Sequence, residues 1–145
     1  MATYTIERVY QTTPPEVFDF LVEEIPKISE RFSDKFNWRM IDLEQLLKDK
    51  TFFYCTRNGE VVGFILCTFM RSTFDPTNIV LMQDLFYVKP NSGKAAYLLF
   101  KKFIDIGKSK ANHIITMLTS QTNVKPSTLK KFGFKELETL YRLEV

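Results

Sequence analysis

The segment Val88-Lys-Pro-Asn-Ser-Gly-Lys-Ala-Ala96 joins the end of an apolar, β-type run to the start of a helical one. The first turn of a helix carries backbone N–H groups with no intrahelical acceptor, together with the positive end of the helix dipole. Ser92, Gly93, Ala95 and Ala96 are small enough to let a diphosphate approach those donors, and Lys94 adds a cation. An ordinary strand-to-helix turn, in which Ala95 and Ala96 only permit close packing, would have the same composition.

Few other residues offer chemistry. Gln83 and Asp84 interrupt the apolar run 79–88, and as neighbours on a strand they should point to opposite faces and serve different sites. Cys55 and Cys67 are the two cysteines and His113 is the single histidine. Neither cysteine has a metal-ligand neighbour, so a zinc site and a Cys–His nucleophile pair are not expected. Asn58-Gly59 lies between two apolar runs, a two-residue hairpin signal that sets Thr56 opposite Val61, Cys55 opposite Val62 and Cys67 opposite Lys50. The cysteines would then be five strand residues apart, about 17 Å, which is beyond disulfide reach. They read as reduced core thiols of a cytosolic-type protein.

The elements that must position these groups follow from periodicity. Thr3–Tyr10 reads as a strand. Thr13-Pro-Pro-Glu16 starts a helix, with Thr13 as cap and Glu16 closing a capping box; Val17, Phe20, Leu21 and Ile28 form its buried stripe, and Pro26 should kink or end it. A short helix is expected at 42–50. Thr51–Thr56 and Val61–Met70 are the hairpin strands, Asp75-Pro-Thr-Asn78 is a turn, and Ile79–Val88 is a strand stopped by Pro90. Ser92–Ala111 is the clearest helix, with Ala95, Ala96, Leu99, Phe103 and Ile106 on one stripe. His113–Thr119 is a strand, Val124–Phe132 a short helix with Gly133 as its left-handed stop, and Phe134–Val145 one or two strands. The order predicts an α+β domain spanning 1–145. Its mixed, mostly antiparallel central sheet has helices on both faces and one parallel β-α-β crossover between the strands at 79–88 and 113–119.

Composition sets the class. The 145 residues are 45% hydrophobic and 26% charged, which reads as soluble and globular, and 14 Phe predict a core of large side chains. A net charge of +3 is too weak to point to nucleic acid. Lys101, Lys102, Lys108 and Lys110 read as a solvated helix face, with only Lys94 placed for an anion. A nucleic-acid module built on these lysines and those at 125–131 would show salt-dependent binding. No apolar run reaches membrane-span length, and Met1-Ala-Thr-Tyr4 lacks a signal-peptide layout, so a cytoplasmic protein is expected.

The order of parts resembles the GNAT superfamily of N-acetyltransferases. Asn91-Ser-Gly-Lys94-Ala-Ala96 is similar to its Gln/Arg-x-x-Gly-x-Gly/Ala loop, with Asn91 and Lys94 departing and Ala96 fitting. Asn58-Gly-Glu-Val-Val-Gly63-Phe64 looks like the family's hairpin between the second and third strands, and Leu129-Lys-Lys-Phe-Gly133-Phe134 like its late helix ending in Gly-Phe. Gly133-Phe-Lys-Glu-Leu-Glu138-Thr-Leu-Tyr141 and Leu85-Phe-Tyr-Val88 resemble small GNAT-like proteins of tailed bacteriophages, which would place the chain in a host cytoplasm.

The resemblance implies direct attack of an amine on the thioester of acetyl-CoA, with an unidentified amine acceptor and no metal. The coenzyme would lie in a splay between the strands at 79–88 and 113–119. Backbone groups of Phe86, Tyr87 and Val88 would meet the pantetheine arm, and an N–H near Phe86 would polarise the thioester carbonyl. Asn91, Ser92, Gly93, Lys94, Ala95 and Ala96 would hold the pyrophosphate, and Asn123 would contact the coenzyme. Asp84 is the candidate base, its structural alternative being a carboxylate paired with a lysine. The family's usual acid, a Tyr four residues before the Gly of Gly-Phe, is Leu129 here, leaving Tyr141 as a substitute or as a core residue. A catalytically impaired binding or virion-associated protein is the alternative function, and a homodimer is left open.

Overall fold

The structure is a computed structural model that describes residues 1–10, 12–31, 48, 50–116, 124–137, 141, 143 and 145. Its elements are β1 (Tyr4–Arg8), α1 (Pro15–Arg31), β2 (Thr51–Arg57), β3 (Glu60–Arg71), β4 (Ile79–Val88), α2 (Ala95–Lys110), β5 (His113–Ile115) and α3 (Pro126–Lys131). The strands lie in the order β1-β2-β3-β4-β5. All neighbours are antiparallel except β4 and β5, which α2 joins as a parallel pair. This is the mixed sheet and single crossover expected from the sequence.

Strand alternation divides the core in two. Phe53, Cys55, Ile65, Cys67, Leu81, Phe86 and Val88 face α2, where they meet Ala95, Leu99, Phe100, Phe103 and Ile104. Phe86 stacks on Phe100 at 6.0 Å between ring centroids, and Phe100 also touches Phe103, Phe132 and Phe134. Phe52, Tyr54, Phe64 and Leu66 face the other way, against Val17, Phe20 and Leu21 of α1. Each such side chain contributes about 1.5–3 kcal/mol when fully buried.

Two bulges change the expected register. Between β2 and β3, Cys55 pairs with Gly63 and Thr56 with Val61, so Val62 is the extra residue. Cys67 therefore lies opposite Thr51 and not opposite Lys50. The shift places Gly63 against β4, where a Cβ would sit 2.7 Å from the Tyr87 carbonyl oxygen; only glycine fits. Between β3 and β4, Leu66 pairs with Leu85 and Cys67 with Gln83, so Asp84 is the extra residue. The cysteines are free and buried on the α2 face, as expected.

Several local expectations change. The backbone of α1 stays helical through Pro26 to Arg31. Proline removes one donor and one i−4 bond there, and the upstream packing of Val17, Phe20 and Leu21 on the sheet outweighs that loss. The Thr13 hydroxyl turns back to accept from the Tyr10 N–H at 2.7 Å and does not cap the helix. The helix expected at 42–50 falls outside the described residues except at Lys48 and Lys50. Helix α2 begins at Ala95, because Asn91 and Gly93 both take φ near 60°, which a right-handed helix forbids. The described residues of the tail, 134–137, 141, 143 and 145, lie in no strand. Leu137, Tyr141, Leu143 and Val145 are 79–117% exposed, and strand preference has little force without a surface to pack on.

Candidate functional site

β4 pairs with β5 through Val80, Leu81 and Met82, opposite His113, Ile114 and Ile115. Asn112 pins the start of this ladder: its N–H donates to the Ile79 carbonyl at 2.8 Å, and its side-chain oxygen accepts from the Ile79 N–H at 2.9 Å. The Thr116 hydroxyl donates to the Gln83 side-chain oxygen, a last link that satisfies a polar side chain only 4% exposed. Beyond it β4 runs on to Val88, and the described residues of β5 pair with it only as far as Met82.

The bulge follows directly on Gln83. It sets Gln83 and Phe86 on the α2 face and turns Asp84 and Leu85 together to the α1 face. Gln83 and Asp84 therefore serve opposite sides of the sheet, as their adjacency predicts. Asp84 Oδ2 accepts from the Thr68 hydroxyl and from Lys50 Nζ at 3.1 Å, and Lys50 Nζ also donates to Thr68 Oγ1 at 2.8 Å. Among the described residues, Asp84 Oδ1 has no partner. The lysine pairing considered for Asp84 is real, and it engages one carboxylate oxygen.

The turn after β4 crosses toward the start of α2. Lys89 N–H donates to the Val62 carbonyl at 2.8 Å, and Arg57 Nη1 donates to the Asn91 carbonyl at 2.8 Å. Gly93 passes close to Tyr4: a Cβ there would lie 2.3 Å from the phenol oxygen. The Lys94 N–H donates to that same Tyr4 oxygen at 3.2 Å, and the Ala95 N–H to the Ser92 carbonyl at 3.2 Å. The next two N–H groups, of Ala96 and Tyr97, have no acceptor among the described residues. Those two donors, with the helix dipole behind them, are what an anion would meet.

The sequence-derived site residues fall into three groups. Asp84, Phe86, Tyr87 and Val88 lie on the last part of β4, Asn91, Ser92, Gly93, Lys94, Ala95 and Ala96 form the turn and helix start after it, and Asn123 and Tyr141 lie outside both. Of these, Phe86, Val88, Ser92 and Ala95 are buried, while Asn91, Gly93 and Lys94 are exposed. Tyr141 is 92% exposed, so the core placement considered for it does not hold, and no described contact links it to Asp84. Asn123 lies outside the described residues. Leu129 packs on the α2-side core, beside Phe132 and Phe134. Lys50, Thr68, Tyr4 and Arg57 were not legible beforehand; each reaches its partner from 16 to 90 residues away. The strand–turn pattern around Lys50 and the hairpin at Arg57 gave no local sign of that.

Charge elsewhere is accounted for by structure. Burial pushes the Cys55 thiol up to about 11 and Cys67 up to about 12, the latter helped by the Asp84 carboxylate, so neither is a ready thiolate. Burial, with the Glu7 hydrogen bond and charge behind it, raises Tyr54 to about 12. Lys101, Lys102, Lys108 and Lys110 are exposed on α2, the solvated face expected of them. Among the described residues no group of three or more His, Cys, Asp and Glu could hold a metal, and no helix is long and apolar enough to cross a membrane.

This architecture is a GNAT-like fold. A crystal structure of an aminoglycoside acetyltransferase from an uncultured soil metagenomic sample superposes with a TM-score of 0.71 at 12% identity, covering 99% of each chain. A predicted acetyltransferase with acetyl-CoA from Clostridium acetobutylicum gives 0.62 at 13% identity, over 99% of this chain and 96% of that one. AAC(6')-Iy, in complex with a bisubstrate analog of coenzyme A and acetylneamine, gives 0.64 at 15% identity over 99% of each chain. At such identities the likeness establishes the fold. No protein-family model matches the sequence, and no curated protein matches it.

Proposed function

We propose that this chain is an N-acetyltransferase that moves acetyl from acetyl-CoA to a primary amine of a small molecule or protein. The observation that carries the reading is the start of α2, where the N–H groups of Ala96 and Tyr97 have no acceptor among the described residues, set by the β4–α2–β5 crossover that follows the Asp84 bulge. Neighbours of the same fold include proteins described with acetyl-CoA and with a bisubstrate analog, which supports placing the donor along β4 and the start of α2. In this reading Ala96 and Tyr97 N–H groups meet the diphosphate, with Asn91, Ser92, Gly93, Lys94 and Ala95 shaping its approach. The strand edge from Phe86 to Val88 guides the pantetheine arm, and an N–H near Phe86 polarises the thioester carbonyl. Asp84 Oδ1 holds the acceptor's ammonium and takes a proton from it, directly or through water. Asn123 completes the coenzyme contacts.

Leu129 favours a second reading. Its packed, apolar side chain stands where the fold's usual acid would be, and Tyr141 is exposed without a described contact to Asp84. A thiol is acidic enough to leave without assistance, and on that ground the enzyme reading is retained over a catalytically impaired binding or phage virion-associated protein. A cytoplasmic location and a homodimer are compatible with either. Calorimetric titration with acetyl-CoA, CoA and dephospho-CoA, followed by thiol release across an amine panel, separates them. Binding with turnover is expected; binding without turnover selects the second reading, and no binding at millimolar CoA rejects both coenzyme readings.

A further inference from the structure

We infer that Lys50 is itself an acceptor, so that the protein acetylates its own Lys50 side chain from acetyl-CoA. The inference rests on the transferase reading above. That reading assigns Asp84 the task of gathering an ammonium group and removing its proton. Lys50 Nζ already sits 3.1 Å from the Asp84 carboxylate and 2.8 Å from Thr68 Oγ1, on the same face of the sheet and beside the Asp84 bulge. The pair is only partly buried, with side-chain exposures of 30% for Lys50 and 26% for Asp84, which leaves the amine within reach of an acyl group. Thr68 and Lys50 share one oxygen of Asp84 and bond to each other, a closed triangle that holds the amine at the carboxylate.

The step balances. The Lys50 ammonium gives one proton to Asp84, which passes it to solvent. The freed nitrogen lone pair forms a bond to the thioester carbon, and the carbon–sulfur bond breaks. The departing coenzyme A thiolate takes the second proton from nitrogen. The products are an Nζ-acetyl amide, free coenzyme A and one proton. The modified residue has lost its charge and its ion pair with Asp84, which leaves the carboxylate to an external amine.

Peptide mapping by mass spectrometry after incubation with acetyl-CoA alone tests this. Uncatalysed acetylation favours the most exposed lysines, such as Lys101 and Lys102. Lys50 is expected to be labelled about tenfold more than either, and Asp84→Asn to slow its labelling by about 100-fold, the scale of a lost proton acceptor. Acetic anhydride, which needs no binding site, serves as the control for fold and accessibility: its labelling of the lysines other than Lys50 should not change in that variant, and that of Lys50 should not fall. Should Asp84→Asn fail to fold, the ranking of lysines in the unaltered protein still decides. Acetyl-CoA binding with Lys50 labelled no more than Lys101 and Lys102 overturns the inference and leaves the transferase reading standing. Absence of acetyl-CoA binding overturns both.

Discussion

The two edges of the sheet differ in what they leave unsatisfied. At the β1 edge, an open groove of about 590 Å³ is lined by Glu7, Arg8, Tyr10, Thr13, Tyr54 and Lys102, among others. Its charges are engaged locally. Tyr54 donates to Glu7 at 2.7 Å, Arg8 lies over the Tyr10 ring, and Lys102 lies over Phe53. Toward the β4–β5 edge, the described ladder ends at Met82 and Asp84 keeps one oxygen without a described partner, and the start of α2, beside Tyr4, has two N–H groups with no described acceptor. The groove offers space, and the second set offers polar groups without a described partner. The second property is the better guide to a site, because a buried or half-buried polar group without a partner is costly unless a ligand supplies one.

The comparison breaks most directly at Ala96. Ala96→Glu puts bulk and negative charge at the helix start and should weaken CoA binding by about 100-fold or more, while Lys102→Ala in the groove should leave it within about twofold. Calorimetry on both variants checks this, and the reverse ranking would move the coenzyme to the β1 edge. Next, Asp84→Asn should lower thiol release with any accepted amine by about 10²–10³-fold with CoA affinity kept, measured by steady-state kinetics. Gly93→Ala should then destabilise the fold by about 1–3 kcal/mol in denaturant titration, because φ stays near +60° and the new methyl collides with Tyr4.

The smallest effect concerns pH. The Cys55 and Cys67 thiols have raised values in the folded state, so the stability they contribute is fully present below their ordinary value of 9.0 and is lost as pH rises toward 11 and 12. Unfolding midpoints should therefore fall across pH 9–12, and Cys67→Ala should flatten part of that slope.

Much of the architecture was legible because it rests on local signals. Asn58-Gly59 fixed the hairpin, Gly133 with φ 91° ends the last helix, and the apolar stripe of α2 identified the crossover. The bulges were not legible, since an extra residue in an apolar run leaves no mark on composition; the one at Val62 shifted Cys67 from Lys50 to Thr51. At the site, Asp84 and the turn 91–96 could be named from strand and helix grammar. Lys50 and Tyr4 could not, because their roles are set by tertiary approach across the sheet. The tail illustrates the converse: Tyr141, Leu143 and Val145 alternate as a strand would, yet their described positions face solvent.

The extra residue in β4 has one more consequence, for insertions and deletions. Side-chain parity along a strand has a period of two, and Asp84 reverses it: residues up to Gln83 keep one phase and residues from Leu85 onward the other. Removing residue 84 would restore an unbroken ladder with β3, and every downstream side chain would keep its present face. Adding a second residue beside it makes the excess even, so Phe86 and Val88 again fall on the α2 face, at the cost of a wider break in the ladder with β3. This strand should therefore tolerate a loss at position 84 better than a gain, while either keeps Phe86 on Phe100, and a library of single-codon indels would expose the difference.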